Sequence, residues 1–350
     1  MVLVIGCDLL KPAASPARSN SPVVSTTAAP TPTAGPTRTP TPSPTPTATS
    51  AVRSVVVIAT PGEAAAQTPS GMAWSGVHSA AGTVGATSSL VAPLSPADVE
   101  AAPETAASGG ASVVVSVAPQ AGPAMLAAAL AHPAVQFIVV DQNVPAGAPA
   151  NLHGIVFDEA EAGYLAGYIA ASLTQTGRIG MVGDSASDTR TRNYLAGFKA
   201  GATFARSNVK VTVAYAGTGL APEKGRAAST SLIKGHADVL LTLPSLSGIG
   251  AMRDACSRKA TLIAADTDAW SLVPDVQRCV AVSVRKRYDV AVEAAIVALA
   301  AGQTLPALTM ADVASGGIDL SDFHVQEPAD LPGKLSALLA ALASQPPRSP

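Results

Sequence analysis

The hydrophobic pattern of the chain changes at about residue 51, where a proline-rich polar stretch ends and short apolar runs begin. From there, β-branched runs such as 53–59, 112–117 and 136–141 alternate with Ala-rich segments whose apolar residues recur at helical spacing. Short apolar strands that alternate with helices are typical of a parallel sheet covered on both faces. The pattern therefore predicts an α/β protein with doubly wound parallel sheets.

The alternation of strands and helices starts a second time near Gly177. Two runs of alternating strands and helices predict two lobes. The first covers about 53–158 with part of 284–323, and the second covers about 176–283. Doubly wound sheets bind ligands outside the carboxyl ends of their strands. We therefore expect a small-molecule ligand in a cleft between the lobes, with a hinge that allows the cleft to close.

The residues that flank the domain predicted over 51–345 have a different composition. Residues 11–50 contain ten prolines among many Thr, Ser and Ala residues. Proline removes backbone donors and favours an extended chain, so this stretch is not expected to pack as a core. We predict a disordered, semi-rigid tether over 8–50 and a short tail over 346–350.

The first residues resemble a bacterial lipobox, in which a short apolar run ends in a small residue before an acylated cysteine. Here the apolar run 3–5 and Gly6 precede Cys7. We interpret 1–7 as the remnant of a signal peptide and expect Cys7 to carry a lipid. Such an anchor would place the protein on the extracytoplasmic face of the cell membrane.

Charge and motif content narrow the class of function. The formal net charge is −2 and the longest basic tract is Arg285-Lys286-Arg287, so a nucleic-acid partner is not expected. The sequence has no apolar run of eighteen residues, so it predicts no transmembrane helix. The five histidines lack metal-ligand spacing and no phosphate-loop motif occurs. Neither a metal nor a cofactor is expected.

Polar side chains collect directly after several predicted strands. Asp141, Asp184 and Asp266 each follow an apolar run, and Lys286 follows another. Asp266 and Lys286 form the sharpest candidate pair, because a carboxylate accepts hydrogen bonds from vicinal hydroxyls and a lysine donates to oxygen. A structural ion pair between strand ends is the alternative. Trp74, in the first predicted helix, either stacks on a ligand ring or anchors the core.

One local motif favours an enzyme. Gly183-Asp184-Ser185 resembles the nucleophile block of GDSL-type hydrolases. That block requires a downstream Asp-x-x-His, whereas this chain has Asp322-Phe323-His324. A hydrolase that uses Ser185 is therefore the weaker alternative, and we do not expect an enzyme.

The two remaining cysteines are candidates for a disulfide. Cys256 closes a predicted helix and Cys279 lies just before a predicted strand. Exported proteins tend to pair their cysteines, so we predict that these two are bonded.

Six motifs between about residues 53 and 323 occur in the order of a known family. They are FDEAEAGYLAG (157–167), TGRIGMVG (176–183), GFKAG (197–201), HADV (236–239), ADTD (265–268) and KRYDVA (286–291). Together they resemble the basic membrane protein family of substrate-binding lipoproteins, which includes purine-nucleoside receptors and Med-like proteins. The resemblance implies the type I periplasmic-binding-protein fold.

The resemblance also implies site residues. The family's cleft Asp and Lys correspond to Asp266 and Lys286. A glycine-rich run of the family becomes 245–250 here, and its Ser247 and Gly248 are further candidate ligand contacts.

The base side of the family's site differs in this chain. The run 66–76 keeps Trp74 but lacks the Asp, Phe and Asn of nucleoside receptors, whose Phe stacks on the base. The resemblance thus implies a solute-binding lipoprotein of an ABC importer, with a permease as partner and a nucleoside-like or other small polar metabolite as ligand. We expect a monomer. A ligand sensor without a transport role is the alternative.

Overall fold

The structure is a computed structural model that describes residues 52–63 and 65–345. The predicted signal remnant with Cys7, the predicted tether and the predicted tail lie outside these residues. The described residues form twelve strands and ten α-helices: β1 Ser54–Ile58, α1 Pro69–Val84, β2 Thr87–Val91, α2 Pro96–Ser108, β3 Val113–Ser116, α3 Gly122–Ala131, β4 Gln136–Val140, β5 Leu152–Phe157, α4 Glu159–Leu173, β6 Arg178–Gly183, α5 Thr189–Ala205, β7 Lys210–Tyr215, α6 Pro222–Lys234, β8 Val239–Thr242, α7 Leu246–Ser257, β9 Thr261–Asp266, α8 Ala269–Leu272, β10 Val280–Lys286, α9 Tyr288–Ala300, β11 Leu308–Ala311, β12 Ile318–Leu320 and α10 Leu331–Ala343. None of these helices combines the length and the apolar character that crossing a bilayer requires.

The first lobe is built on a sheet of six strands in the order β11-β5-β4-β3-β1-β2, and every neighbouring pair is parallel. Side chains alternate between the two faces of each strand. Val55 and Val57 of β1 pack with α1 and α9, whereas Val56 and Ile58 pack with α2 and α3. Both faces are buried, which explains why the strands are continuous apolar runs.

The second lobe has a sheet in the order β12-β10-β9-β8-β6-β7, in which only the edge strand β12 is antiparallel to its neighbour among the described pairs. Helices α4, α5 and α10 cover one face and α6 and α7 the other. The second lobe therefore extends beyond the range of about 176–283 that the sequence predicted. It also includes α4, before residue 176, and β12 and α10, after residue 283.

Helices α4 and α5 touch along their backbones. A Cβ added at Gly197 or at Gly201 would lie 1.9 Å from the carbonyl oxygen of Ala160 or of Tyr164, respectively. Only glycine permits this approach. The two helices therefore pack at the shortest separation that their backbones allow.

Within the described residues the chain passes between the lobes three times: after β5, after β10, and between β11 and β12. Arg287, at the second crossing, donates from Nη1 to Asp319 of β12 at 2.8 Å and from Nε to Asp289 of α9 at 2.9 Å. This side chain therefore ties the second lobe to the first beside the hinge.

Candidate functional site

A cavity of about 1010 Å³ lies between the lobes, at the carboxyl ends of both sheets. Asp141 and Phe157 reach it from the ends of β4 and β5, and Asp266 reaches it from the end of β9. Tyr288, the first residue of α9, also lines the wall. The cavity thus occupies the place at which doubly wound sheets bind ligands.

Two aspartates at strand ends have left-handed backbone conformations. Asp141 has φ 58° and Asp266 has φ 66°. Such values are uncommon outside glycine and are better tolerated by Asp and Asn. Strained residues of this kind cluster at binding and catalytic sites. Both of these aspartates line the cavity, which supports a functional site at these strand ends.

Lys286 is the fully buried centre of the polar cluster. Its Nζ lies 2.9 Å from both carboxylate oxygens of Asp141, 3.2 Å from Oε1 of Glu159 and 3.5 Å from Oδ2 of Asp266. The Phe157 ring centroid is 5.5 Å from the same nitrogen. Burial lowers the pKa of Lys286, but the surrounding carboxylates outweigh that effect and raise it. Lys286 is therefore a charged counter-ion that three carboxylates share.

Glu159, the first residue of α4, is the least compensated acid of the cluster. Besides Lys286, its carboxylate accepts a hydrogen bond from Nδ2 of Asn193 at 3.1 Å. Burial is the largest influence on this carboxyl and raises its pKa, and Lys286 offsets the rise only in part. The carboxylates of Asp141 and Asp266 act in the same direction as burial.

Asp266 has protein partners on both carboxylate oxygens. Oδ1 accepts a hydrogen bond from the buried hydroxyl of Tyr194, and Oδ2 lies 2.8 Å from Nη2 of Arg190. Burial favours the neutral acid, but Arg190 and Lys286 outweigh burial and hold the pKa of Asp266 below its usual range. Asp266 is therefore ionised and well compensated.

The charges of the cluster do not cancel. Asp141, Glu159 and Asp266 carry three negative charges when ionised, against two positive charges on Arg190 and Lys286. In a site of low dielectric constant, such an excess favours groups that donate hydrogen bonds. The cluster is suited to hydroxyl donors.

The second lobe lines the rest of the cavity with aliphatic side chains. The largest apolar side chains of this wall belong to Leu246, Ile249, Met252, Leu272 and Val273. The cavity therefore joins a polar end beside the hinge to an apolar wall, which is the usual composition of a small-molecule site.

Comparison with known proteins identifies the family. The family described as ABC transporter substrate-binding protein PnrA-like matches residues 54–335. The chain belongs to this family.

Two relatives are similar in sequence to part of this chain. Basic membrane protein A of Borreliella burgdorferi is 33% identical over 153 residues, which are 42% of this chain and 44% of that protein. The ABC transporter nucleoside-binding protein BmpA of Lactococcus lactis is 33% identical over 129 residues, which are 37% of this chain and 36% of that protein. Each match spans less than half of the relative's length.

A solved structure shows the same fold. The ABC transporter solute-binding protein from Conexibacter woesei superposes with a TM-score of 0.69 at 21% identity, over 85% of this chain and 99% of that chain. The predicted α/β fold with two doubly wound lobes is therefore confirmed for the PnrA-like chain.

The structure brings Asp141, Asp266 and Lys286 together, but it places Lys286 differently from our expectation. Lys286 is absent from the described cavity wall and lies behind the carboxylates. Its ammonium group faces Asp141, Glu159 and Asp266, so it holds these carboxylates instead of reaching the cavity itself.

Four other predicted contacts are not part of the described wall: Trp74, Asp184, Ser247 and Gly248. Trp74 packs on the core of the first lobe, with its ring centroid 5.5 Å from that of His78. Asp184 accepts a hydrogen bond from Ser245 at 2.9 Å.

Ser247 and Gly248 shape the start of α7 instead of the cavity. The Ser247 hydroxyl donates to the carbonyls of Thr218 and Ala221, at 2.6 and 3.0 Å, and so fixes the loop ahead of α6. A Cβ at Gly248 would lie 1.9 Å from the carbonyl oxygen of Leu243, so this glycine permits a close backbone approach. Both residues therefore have structural explanations.

Sequence reasoning missed Glu159, Arg190, Tyr194 and Tyr288. Glu159 and Tyr288 lie within motifs that carry the family resemblance, so position within those motifs was an available signal. Arg190 and Tyr194 are four residues apart on α5, and therefore share one helix face. That spacing is the only trace of their joint contact with Asp266 in the sequence.

The residues proposed for hydrolysis are not assembled. The Ser185 hydroxyl lies 3.0 Å from that of Ser187. His324 instead stacks on Trp270, with ring centroids 4.5 Å apart. Over the described part of the chain, no hydrogen bond joins Ser185 to His324, and no group of His, Cys, Asp or Glu side chains is arranged to hold a metal ion.

Cys256 and Cys279 are joined by a disulfide, with their Cα atoms 5.5 Å apart. The bond links the end of α7 to the start of β10. It therefore braces the second lobe on the face covered by α6 and α7.

Proposed function

We propose that this chain is the solute-binding component of an ABC importer and holds a small polar metabolite in the interlobe cavity. The observation that carries the proposal is the charged cluster at the hinge, where Asp141 of the first lobe and Asp266 of the second share Lys286. Family membership supports the transport role. An ABC permease would be the partner that receives the ligand.

Asp141 is the carboxylate best placed to accept a hydrogen bond from the ligand. Its side chain is 25% exposed and lines the cavity, whereas that of Asp266 is 3% exposed. Lys286 and the Tyr288 hydroxyl, 3.0 Å from Oδ2, hold the carboxylate in place. A ligand hydroxyl would therefore meet an acceptor that is already held in place, which lowers the entropic cost of binding.

The ligand class follows from the two ends of the cavity. The acidic cluster suits hydroxyl groups, and the aliphatic wall suits a less polar part of the same molecule. A nucleoside has both features, and the Lactococcus lactis relative is named as nucleoside-binding. The aromatic side chains of the described wall are Phe157 and Tyr288, which lie at its polar end.

The test begins with native mass spectrometry of the purified protein, followed by calorimetric titration with the released solute, inosine and D-ribose. Asp141→Asn should weaken binding about tenfold or more, because a hydrogen bond to a charged group contributes roughly 1.5–3 kcal/mol. Asp275→Asn is the matched control, since Asp275 is exposed and pairs with Arg253 on the surface. Equal affinities for wild type and a folded Asp141→Asn variant would place the ligand elsewhere.

We also propose that Cys7 anchors the chain by a lipid to the extracytoplasmic face of the membrane. The lipobox-like run before Cys7 and the proline-rich stretch after it support this. The experiment is expression with a complete signal sequence, followed by separation of membrane and soluble fractions. Cys7→Ser should move the protein into the soluble fraction, and identical partitioning of both proteins would refute the anchor.

A further inference from the structure

Arg190 is a cation in the cavity wall whose donors are only partly used. Its side chain is 30% exposed and lines the cavity. Nη2 faces Oδ2 of Asp266 at 2.8 Å as an ion pair. Nε is buried and has no hydrogen-bond partner among the described residues. A buried guanidinium nitrogen without a hydrogen bond is costly, so this arrangement calls for an additional acceptor.

The position of Arg190 is set by the start of α5. The Asp188 carboxylate caps this helix by accepting a hydrogen bond from the Thr191 amide at 2.7 Å. Asp188 and Thr189 line the cavity next to Arg190. One turn later, Tyr194 reaches Asp266 from the same face of the helix. The first turns of α5 therefore present a guanidinium group to the ligand side of Asp266.

These contacts change what Asp266 can offer a ligand. The Asp266 side chain is only 3% exposed, and Tyr194, Arg190 and Lys286 already approach its two oxygens, so little of this carboxylate is left for a ligand. On the second lobe, an incoming ligand meets the guanidinium group of Arg190 in the cavity wall. On the first lobe it meets the acceptor Asp141.

We propose that Arg190 is a specificity-determining residue of the cleft, which donates to an oxygen atom of the ligand while Asp141 accepts from a ligand hydroxyl. The inference rests on the proposed solute-binding function. Hydroxyl groups both donate and accept, so this pair selects uncharged polyhydroxylated compounds such as ribosides or free sugars. A cationic ligand would meet Arg190, and an anionic one would add to an acidic excess that already includes Glu159.

The chain offers a matched control two residues away. Arg192 is exposed on the same helix, and its guanidinium group contacts the Ser187 carbonyl and the Thr189 hydroxyl instead of Asp266. The probes are inosine and D-ribose as uncharged compounds, inosine 5′-monophosphate as an anion and spermidine as a cation. Calorimetry would measure each probe with wild type, Arg190→Lys, Arg190→Met and Arg192→Met.

We expect an uncharged probe to bind wild type more tightly than either charged probe. Arg190→Met should weaken that binding about ten- to a hundredfold, which corresponds to loss of a hydrogen bond to a charged group. Arg190→Lys should lose less, because it keeps the charge without the planar fork. Arg192→Met should bind like wild type.

A double-mutant cycle separates contact with the ligand from support of Asp266. If Arg190 acts on the ligand, Arg190→Met should weaken binding in an Asp266→Asn background as well, where no unpaired carboxylate is left. Loss of the effect in that background would overturn the inference and leave Arg190 as a positioning residue. The inference would also be overturned if a charged probe bound most tightly, or if none of the four probes bound. Native mass spectrometry then decides the proposed function separately, by showing whether any solute is bound.

Discussion

Lys286→Met is the substitution that tests the electrostatics of the hinge most directly. Methionine keeps the length and apolar stem of lysine but removes the charge. The variant leaves Asp141, Glu159 and Asp266 without their shared counter-ion, and Arg190 is then the one cation left in the cluster. Removing one partner of a buried ion pair typically costs about 3–5 kcal/mol. For a domain of this size, each kcal/mol lowers Tm by roughly 2 °C, so we expect a loss of about 6–10 °C.

The same variant has a pH dependence with a defined sign. The pKa of Glu159 is already raised in the folded protein, mainly by burial, and Lys286 is the charge that restrains it. A carboxyl with a raised folded pKa favours folding at low pH, and this contribution is lost as pH rises through the folded pKa. Without Lys286 the pKa of Glu159 rises further. The difference in Tm between wild type and variant should therefore be smaller at pH 5 than at pH 8.

The assay is thermal unfolding followed by circular dichroism at both pH values. Lys334→Met is the control, because Lys334 of α10 is exposed and forms a surface ion pair with Asp330, the residue just before this helix. We expect no measurable change in its Tm, as is common for exposed pairs. A Lys286→Met variant that melts within 2 °C of wild type would refute the reasoning. So would a loss of the same size at both pH values, since protonation of Glu159 would then play no part.

Two further predictions concern the stability of the second lobe. The Cys256–Cys279 disulfide closes a loop with a sequence separation of 23, for which the chain-entropy model gives about 3 kcal/mol of stabilisation. A Cys256→Ser/Cys279→Ser variant should therefore have a lower Tm than wild type, and its Tm should not change on addition of reductant. An unchanged Tm would contradict this. Gly201→Ala should lower the free energy of unfolding, measured by urea denaturation, by about 1–3 kcal/mol, because the new methyl group would meet the backbone of α4. Gly333→Ala in α10 is the control, because its methyl group would meet open space and should not destabilise the protein. Equal effects of the two glycine substitutions would rule out close packing as the cause.

The residues that sequence reasoning located share one property: each lies directly at the end of a strand. Asp141, Asp266 and Lys286 follow apolar runs, and the carboxyl ends of parallel strands meet at one edge. Their position therefore depends on sheet topology, which the alternation of strands and helices reveals. The same rule suggested Asp184, but that residue ends β6 and turns to Ser245 instead of the cavity.

Side chains on helices were harder to locate because their direction depends on how helices pack. Arg190 and Tyr194 reach Asp266 only because α5 lies against α4 at backbone contact, a distance that glycines 163, 167, 197 and 201 allow. The sequence left Trp74 open between stacking on a ligand and anchoring the core, and the structure packs it on the core of the first lobe. In both cases the deciding contact is between separate elements of the fold, which local patterns do not encode.

The arrangement around Lys286 also bears on how ligand binding and closure of the cleft are coupled. Lys286 ends β10 in the second lobe, while Asp141 ends β4 in the first, so their ion pair spans the lobes next to the hinge. If the lobes move about these crossings, as the proposed solute-binding function requires, an interlobe bond beside them would change length little when the outer rims separate. It would then stabilise the hinge without deciding whether the cleft is open. The difference between open and closed states would depend on contacts farther from the hinge, including those that a ligand makes with both lobes at once.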